Sequence, residues 1–421
     1  MDKIPSLRFK EFSGEWEEKK FNEVFSFLQN NTFSREYLTN EKQEVQNIHY
    51  GDILVKYNNI LNVDDTIPYI KKENDLKKFN DESYLKTGDI IISDTAEDFT
   101  VGKAIEIYNS KQNKILSGLH TFPCRTNFEF AFGYLGQYIN SEKYHKQLIP
   151  LITGIKVSSI SKNSIKDTKI KFPCLKEQEK IGNFLSSVDK KISIVEEKLN
   201  LFNQYKKGIM QKIFNQELRF KDENGNNYPQ WEERKLEDIA FVFIGLVTTM
   251  TSNYVNVGVP MIRNSDIFPN KFRKIDELIK LEENFAKKNE NRSFKTGDIA
   301  TIHTGDLGTS AVISEELEGS IGFATLNTRI LNNNECYNYY LSHFFNSDKY
   351  KCFVNSVKTG DGRDNLNLKD FINSIIPLPC LEEQKKIADF LSAIDDKIEN
   401  ISGNLESLKL FKKSMLQKMF V

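Results

Sequence analysis

Residues 173 to 214 read PCLKEQEKIGNFLSSVDKKISIVEEKLNLFNQYKKGIMQKIF, and residues 379 to 420 read PCLEEQKKIADFLSAIDDKIENISGNLESLKLFKKSMLQKMF. Aligned without a gap, 19 of the 42 positions are identical, among them Pro173/Pro379, Glu177/Glu383, Gln178/Gln384, Phe184/Phe390, Asp189/Asp395 and Phe214/Phe420. A chain that carries such a segment twice solves one folding problem twice, so two halves of a common plan are expected rather than one fold.

Weaker echoes extend the repeat beyond these segments. LRFK occurs at Leu7 and Leu218, WEE at Trp16 and Trp231, KTGDI at Lys86 and Lys295, and Thr-Gly at Thr153-Gly154 and Thr359-Gly360. Their offsets are 211, 215, 209 and 206 residues, so a frame recurs while the material between its parts has changed length and content. The expected layout is a variable half at 1–172, a repeated helix at 173–214, a second variable half at 215–378 and a second helix at 379–421.

The repeated segments carry a seam. Ile181, Leu185, Val188, Ile192, Val195, Leu199, Phe202, Lys206, Ile209 and Ile213 step by alternating fours and threes, as do Ile387, Leu391, Ile394, Ile398, Ile401, Leu405, Leu408, Lys412, Met415 and Met419. That is the 3.5-residue period of a coiled coil, with lysine at the same odd place in both copies. Two such stripes in one chain pair most simply as an antiparallel coiled coil with pseudo-two-fold symmetry, a spacer between the halves. Lys206 and Lys412 are read as snorkelling from one end of the seam.

Each half ahead of its helix mixes short β-rich runs, such as Ile53-Leu54-Val55, Asp89–Ile92 and Ala311-Val312-Ile313, with Gly, Asn and Asp punctuation. The pattern predicts mixed α+β domains, with KTGDI forming a bend into a strand. The following loops differ, IISDTAEDFTVGKAIEI against ATIHTGDLGTSAVISEE. They are rich in the donors and acceptors that read base edges and phosphates. The first half offers Asn30, Asn31, Thr32, Arg35, His49, Ser93, Asp94, Thr95, Ser117, His120 and Thr121. The second offers Thr248, Thr249, Arg263, Asn264, Ser265, His303, Thr304, Asp306, Thr325, Asn327, Thr359 and Arg363. Arg and Asn can bond guanine and adenine bidentately, while Ser and Thr fix phosphates.

Charge does not announce a polyanion partner, since the formal net charge is −1. Any such partner must be held by local patches, of which Lys156, Lys162, Lys166, Lys169 and Lys171, opposed only by Asp167, form one candidate. Five unpaired-looking cysteines without a CxxC spacing argue for reduced packing residues. No run approaches the ~20 apolar residues of a membrane span, and MDKIPSLRFK has no apolar signal core, so a cytoplasmic protein is expected. Phosphate-loop, dinucleotide, zinc-protease and nucleophile-elbow motifs are missing, and the five histidines lack metal-ligand spacing. The chain is expected to bind and position a target while other proteins act, with neither catalytic residues nor a metal site of its own.

The architecture resembles the specificity subunit of a type I restriction-modification system. The resemblance spans essentially the whole chain and rests on WEEKKFNEV and WEERKLEDI opening the halves, on KTGDI, on the paired Thr-Gly, and on Pro-Cys-Leu-x-Glu-Gln-x-Lys-Ile leading each helix. It implies two target recognition domains reading a split double-stranded DNA sequence across an unread gap. It also implies that the helices dock two methylation subunits, through helix residues expected to be exposed: Glu177, Gln178, Lys180, Glu383, Gln384 and Lys386. S-adenosylmethionine would sit on those partners, and restriction subunits would bring ATP- and Mg-dependent translocation and cleavage. A reader for a modification-only methyltransferase and a coiled-coil scaffold that binds no nucleic acid remain alternatives. A self-sufficient enzyme would need a catalytic cluster that the sequence does not display.

Overall fold

The computed structural model describes residues 3–72, 74–98, 100–110, 113–154, 156–248, 251–360 and 364–421. The chain divides into two compact units, Met1–Glu196 with Gly403–Val421, and Glu197–Ser402. The division passes through both repeated helices, α1 (Leu175–Phe214) and α2 (Leu381–Met419), so each unit contains the start of one and the end of the other.

In the first unit a five-stranded sheet runs in the order Phe25–Phe27, Thr121–Thr126, Ile90–Ser93, Ala104–Tyr108, Ile60–Asn62. A four-stranded sheet runs Lys114–Ser117, Val45–Ile48, Tyr69–Ile70, Leu38–Thr39, and its first pair is parallel. The second unit repeats the plan. One sheet is ordered Ala240–Ile244, Thr325–Ile330, Ile299–Ile302, Ser310–Val312, and another contains Val259–Arg263 parallel to Ile321–Phe323. Both units are therefore mixed α and β structures.

The repeated motifs prove to be the fasteners of this plan. Residues after each WEE tryptophan form a strand, Glu17–Lys20 or Glu232–Lys235, that pairs antiparallel with the strand leading into the long helix, Lys169–Phe172 or Ile375–Leu378. Each unit thus brings its beginning beside its end. In KTGDI, Gly88 and Gly297 bend at φ +92° and +88°, a region costly for any residue with a Cβ. The motif aspartate closes the turn, Asp89 accepting from Lys86 N at 2.7 Å and Asp298 from Lys295 N at 2.8 Å. It then holds an arginine on the neighbouring strand bidentately, Arg125 at 2.9 and 2.7 Å and Arg329 at 2.9 and 2.6 Å. One run departs from expectation. Ile53-Leu54-Val55 lies in a short helix, Tyr50–Val55, because the His49 side chain caps it by accepting Gly51 N–H, and only Ile53 of the three is fully buried.

Every seam position is buried or half-buried. In the first unit Ile181 and Leu185 share a core with Met419 and Phe420, while Glu196 pairs with Lys409, so the two helix segments run antiparallel. In the second unit Met210 and Ile213 share a core with Ile387 and Leu391 in the same sense. One reading needs correction. Lys206 and Lys412 do not snorkel to water. Each is largely buried in an ion pair with the opposite helix, Lys206 with Asp395 and Lys412 with Asp189, because those aspartates face the seam lysine across the pair. Leu199 and Leu405 are half-buried, whereas Leu185 and Leu391 are fully enclosed.

Candidate nucleic-acid interface

In both units the loops at one end of the parallel strand pair meet the end of the central strand. In the first unit Val45–Ile48 delivers His49, Ile90–Ser93 delivers Asp94 and Thr95, and the turn between Lys114–Ser117 and Thr121–Thr126 delivers His120 at φ +58°. His120 is exposed and lies 3.4 Å from Asp94, with the Tyr50 ring 5.3 Å away edge-on. Tyr50 in turn packs on His49 at 4.6 Å. Burial and the nearby Arg35 depress the His49 pKa, keeping the ring neutral, and since Nδ1 accepts Gly51 N–H the Nε2 atom carries the proton. Arg35 is exposed and pairs at 3.1 Å with Asp52, which is fully buried and also holds Lys56 at 3.0 Å.

The candidate residues of this unit separate by burial. Asn31, Ser93, Ser117 and Thr121 are fully enclosed and spent on the frame. Asn31 bonds Asn47 at 2.6 Å, Ser117 bonds Thr121 at 2.6 Å, and Ser93 donates to Thr95 O at 2.8 Å. Asn30, Thr32, Arg35, Asp94, Thr95 and His120 keep some surface, while His49 is nearly enclosed. The basic stretch does not form one patch. Lys156 is exposed, Lys162 lies over the Phe27 and Phe122 rings, Lys166 bonds Asn163, and Lys169 and Lys171 face Glu18.

The second unit builds the same place from different side chains. Val259–Arg263 delivers Arg263, which grips Asp266 at 3.1 and 3.0 Å, and that partner raises its pKa further. Asn264 donates to Thr304 O at 3.0 Å, and its Oδ1 is buried without a partner. Thr304 bonds Asn365 at 2.7 Å, bringing the Thr359 loop alongside, with Asn365 also bridging Thr359. Ala324, at φ +53°, stands where His120 stands in the first unit. Arg263, Asn264, Ser265, Thr304, Phe323 and Ala324 line a cleft of about 610 Å³.

Thr325 and Asn327 are buried nearby, with Thr325 Oγ1 and both Asn327 side-chain polar atoms unpartnered. His303 is tied to Leu366 O at 2.7 Å, Asp306 to Thr309 at 2.7 Å, and Thr359 Oγ1 accepts from Asn367 at 3.0 Å. Thr248 is exposed, whereas Thr249 and Arg363 lie outside the described residues.

The Glu-Gln pairs leading the helices are not exposed, contrary to expectation. Glu177, Gln178, Glu383 and Gln384 are buried because the repeated LRFK segment lies over each helix start. Arg8 holds Glu177 at 2.8 and 2.7 Å, and Arg219 holds Glu383 at 3.1 and 2.7 Å, with Trp231 Nε1 adding 2.9 Å. Gln178 accepts Ala131 N–H at 3.1 Å, and Gln384 accepts Tyr337 N–H at 2.8 Å. Lys180 bonds Glu11 and Lys386 bonds Lys221 O at 2.7 Å, both nearer the surface.

Sequence reasoning passed over Tyr50, Asp52, Arg125 and Arg329. Each arginine follows its motif aspartate at a different distance, 36 residues in the first unit and 31 in the second, so no fixed spacing marked them. Nothing marked Tyr50.

Comparison with known proteins accords with this geometry. The family model for the type I restriction modification DNA specificity domain matches residues 13–204 and again 228–410. A chain described as the specificity subunit of the type I restriction enzyme MjaX of Methanocaldococcus jannaschii is 25% identical over 423 residues, covering 96% of this chain and 93% of that one. The EcoBI specificity subunit of Escherichia coli is 24% identical over 296 residues, covering 64% and 61%. The crystal structure of a type I restriction-modification S subunit from M. genitalium superposes with a TM-score of 0.60 at 16% identity, covering 99% of each chain, a likeness of fold. With a specificity domain matched in each half, the chain belongs to the family of type I restriction-modification DNA specificity subunits.

Proposed function

We propose that each unit reads one part of a split, asymmetric double-stranded DNA target and so directs partner subunits to it. The observation that carries this reading is one frame used twice with unlike faces, Tyr50, Asp94 and His120 in one unit against Arg263, Asn264 and Thr304 in the other. Unlike donors and acceptors in equivalent places select unlike bases. Of the candidates that are not fully enclosed, Arg35, Asp94, Thr95 and His120 serve the first unit, with Asn30, Thr32 and Lys156 at its margin. Arg263, Asn264, Ser265 and Thr304 serve the second.

Catalysis belongs to the partners. Two methylation subunits with S-adenosylmethionine and restriction subunits using ATP and Mg complete the complex, and this chain contributes no cofactor. In each unit the partner-facing surface is the exposed side of its own helix segments, which carry Lys180, Leu410 and Phe411 in the first and Leu201, Tyr205 and Lys386 in the second, with the four apolar residues 44–61% exposed, rather than the buried Glu-Gln pairs. No helix among the described residues is long and apolar enough to cross a membrane. We place the assembly in the cytoplasm, where the DNA is. With a net charge of −1 the isolated chain binds DNA weakly and gains affinity within the complex, whose binding falls as salt rises.

Single-molecule methylation sequencing tests the reading, comparing cells that express this chain with its methylation subunit against cells with that subunit alone. A split motif carrying N6-methyladenine, present only with this chain, is expected. No new methylation from a soluble, associated pair would favour the scaffold alternative.

A further inference from the structure

Asp395 divides its two carboxylate oxygens between different neighbours. Oδ1 takes the ammonium of Lys206 from the opposite helix, and Oδ2 accepts from the Asn270 amide at 3.1 Å. Asn270 sits at φ +60° at the tip of the hairpin Ile267–Phe268/Lys271–Phe272, which directly follows the Arg263–Asp266 turn of the candidate interface. The same amide nitrogen lies 2.9 Å from Nδ1 of His343, whose Nε2 lies 3.1 Å from Ser392 on α2. Burial, with help from Lys206, pushes the His343 pKa down to about 3, so the ring stays neutral and the hub holds one lysine against one aspartate.

The first unit repeats the division of labour. Asp189 Oδ1 takes Lys412 at 2.5 Å, and Oδ2 accepts from Gln137 at 2.6 Å. Gln137 accepts in turn from Asn59 at 2.9 Å, and Asn59 follows the helix Tyr50–Val55 that His49 caps. Gln137 and His343 occupy matching places, in YLGQYIN and YLSHFFN. In both units, then, one aspartate ties the helix pair to the chain segment that leaves the candidate interface.

Apolar residues in place of both partners of either pair would suit the seam at least as well, since a desolvated ion pair adds little net stability. Apolar burial is non-directional, whereas these bonds fix angles. We propose that Asp189 and Asp395 are positioning residues, each fixing the orientation of its own recognition surface on the helix pair and governing only the DNA part read by its own unit. The inference rests on the split-target reading above.

The test uses the full chain expressed with its methylation subunit, sequencing methylation on the preferred target and on targets altered at one base in either part. Asp395→Ala and Asn270→Gly, which keeps the left-handed backbone accessible, are expected to cut discrimination about tenfold in one part and leave the other within about twofold. Asp189→Ala and Gln137→Leu should do the same in the other part. The double swap Lys206→Asp/Asp395→Lys rebuilds the ion pair but removes the carboxylate at 395 that Asn270 bonds, so it is expected to recover the Tm lost by Asp395→Ala but not the discrimination. Equal effects on both parts, unchanged discrimination, or a swap that recovers both properties overturns the proposal. A wild-type chain that yields no split motif instead sinks the underlying reading.

Discussion

Arg8 and Glu177 meet through two parallel bonds of 2.8 and 2.7 Å, although 169 residues separate them, and Arg8 also donates to the carbonyls of Ser13 and Gly14. The pair pins the segment ahead of the first strand onto the start of α1, and Arg219 with Glu383 does so in the second unit. Removing one partner leaves the other charge buried. Arg8→Ala and Arg219→Ala are each expected to cost about 3 kcal/mol, read from the urea midpoint of the purified chain. A loss below about 1 kcal/mol would make these pairs ordinary surface contacts.

The seam grades its own substitutions. Leu391→Ala empties a fully enclosed site and should cost about 2–5 kcal/mol, while Leu199→Ala, at a half-buried site, should cost clearly less by the same denaturation assay. Equal losses would show that partial exposure does not soften this seam.

Glu106 gives the first unit a pH dependence. Its carboxylate is buried and accepts Gly133 N–H at 2.9 Å and Gly136 N–H at 2.8 Å, yet burial outweighs those bonds and lifts its pKa to about 7. The folded state therefore holds this proton more tightly than the unfolded chain, whose carboxyl titrates near 4.5. Stability from this group is full below about pH 4.5 and is lost as pH rises to about 7, then levels off. Glu106→Gln should flatten the Tm profile across that window, and an unchanged slope would assign the dependence elsewhere.

Two substitutions a few residues apart should act oppositely. His120→Asn tolerates the positive φ and leaves the core untouched, so Tm should hold while methylation at one base position falls about tenfold. Ser117→Ala removes the buried bond to Thr121 and should cost about 1 kcal/mol with the motif unchanged. Methylation sequencing beside thermal denaturation separates the two.

The seam and fasteners were legible because they recur. Periodicity placed Ile181 and Leu391 at the core, and KTGDI placed Gly88 and Gly297 at bends. Residue type could not say which side of a strand a polar group occupies, so Ser117 and Thr121 entered the same list as His120. Lys206 and Lys412 were misread because their aspartates lie in the other helix, out of reach of local pattern. The Glu-Gln pairs were misread for a similar reason, their covering arginines lying more than 160 residues away.

The Phe420 ring lies among Trp16, Tyr134 and Tyr138, at 6.3, 5.7 and 5.5 Å. Trp16 leaves the ribosome roughly four hundred residues before Phe420 is made, a delay on the order of tens of seconds at ordinary synthesis rates. The second unit, Glu197–Ser402, is continuous and has all its parts while translation is still under way. The first keeps its aromatic core open until the last turns of α2 arrive, and it is the half that nascent-chain chaperones would have to shelter for longest.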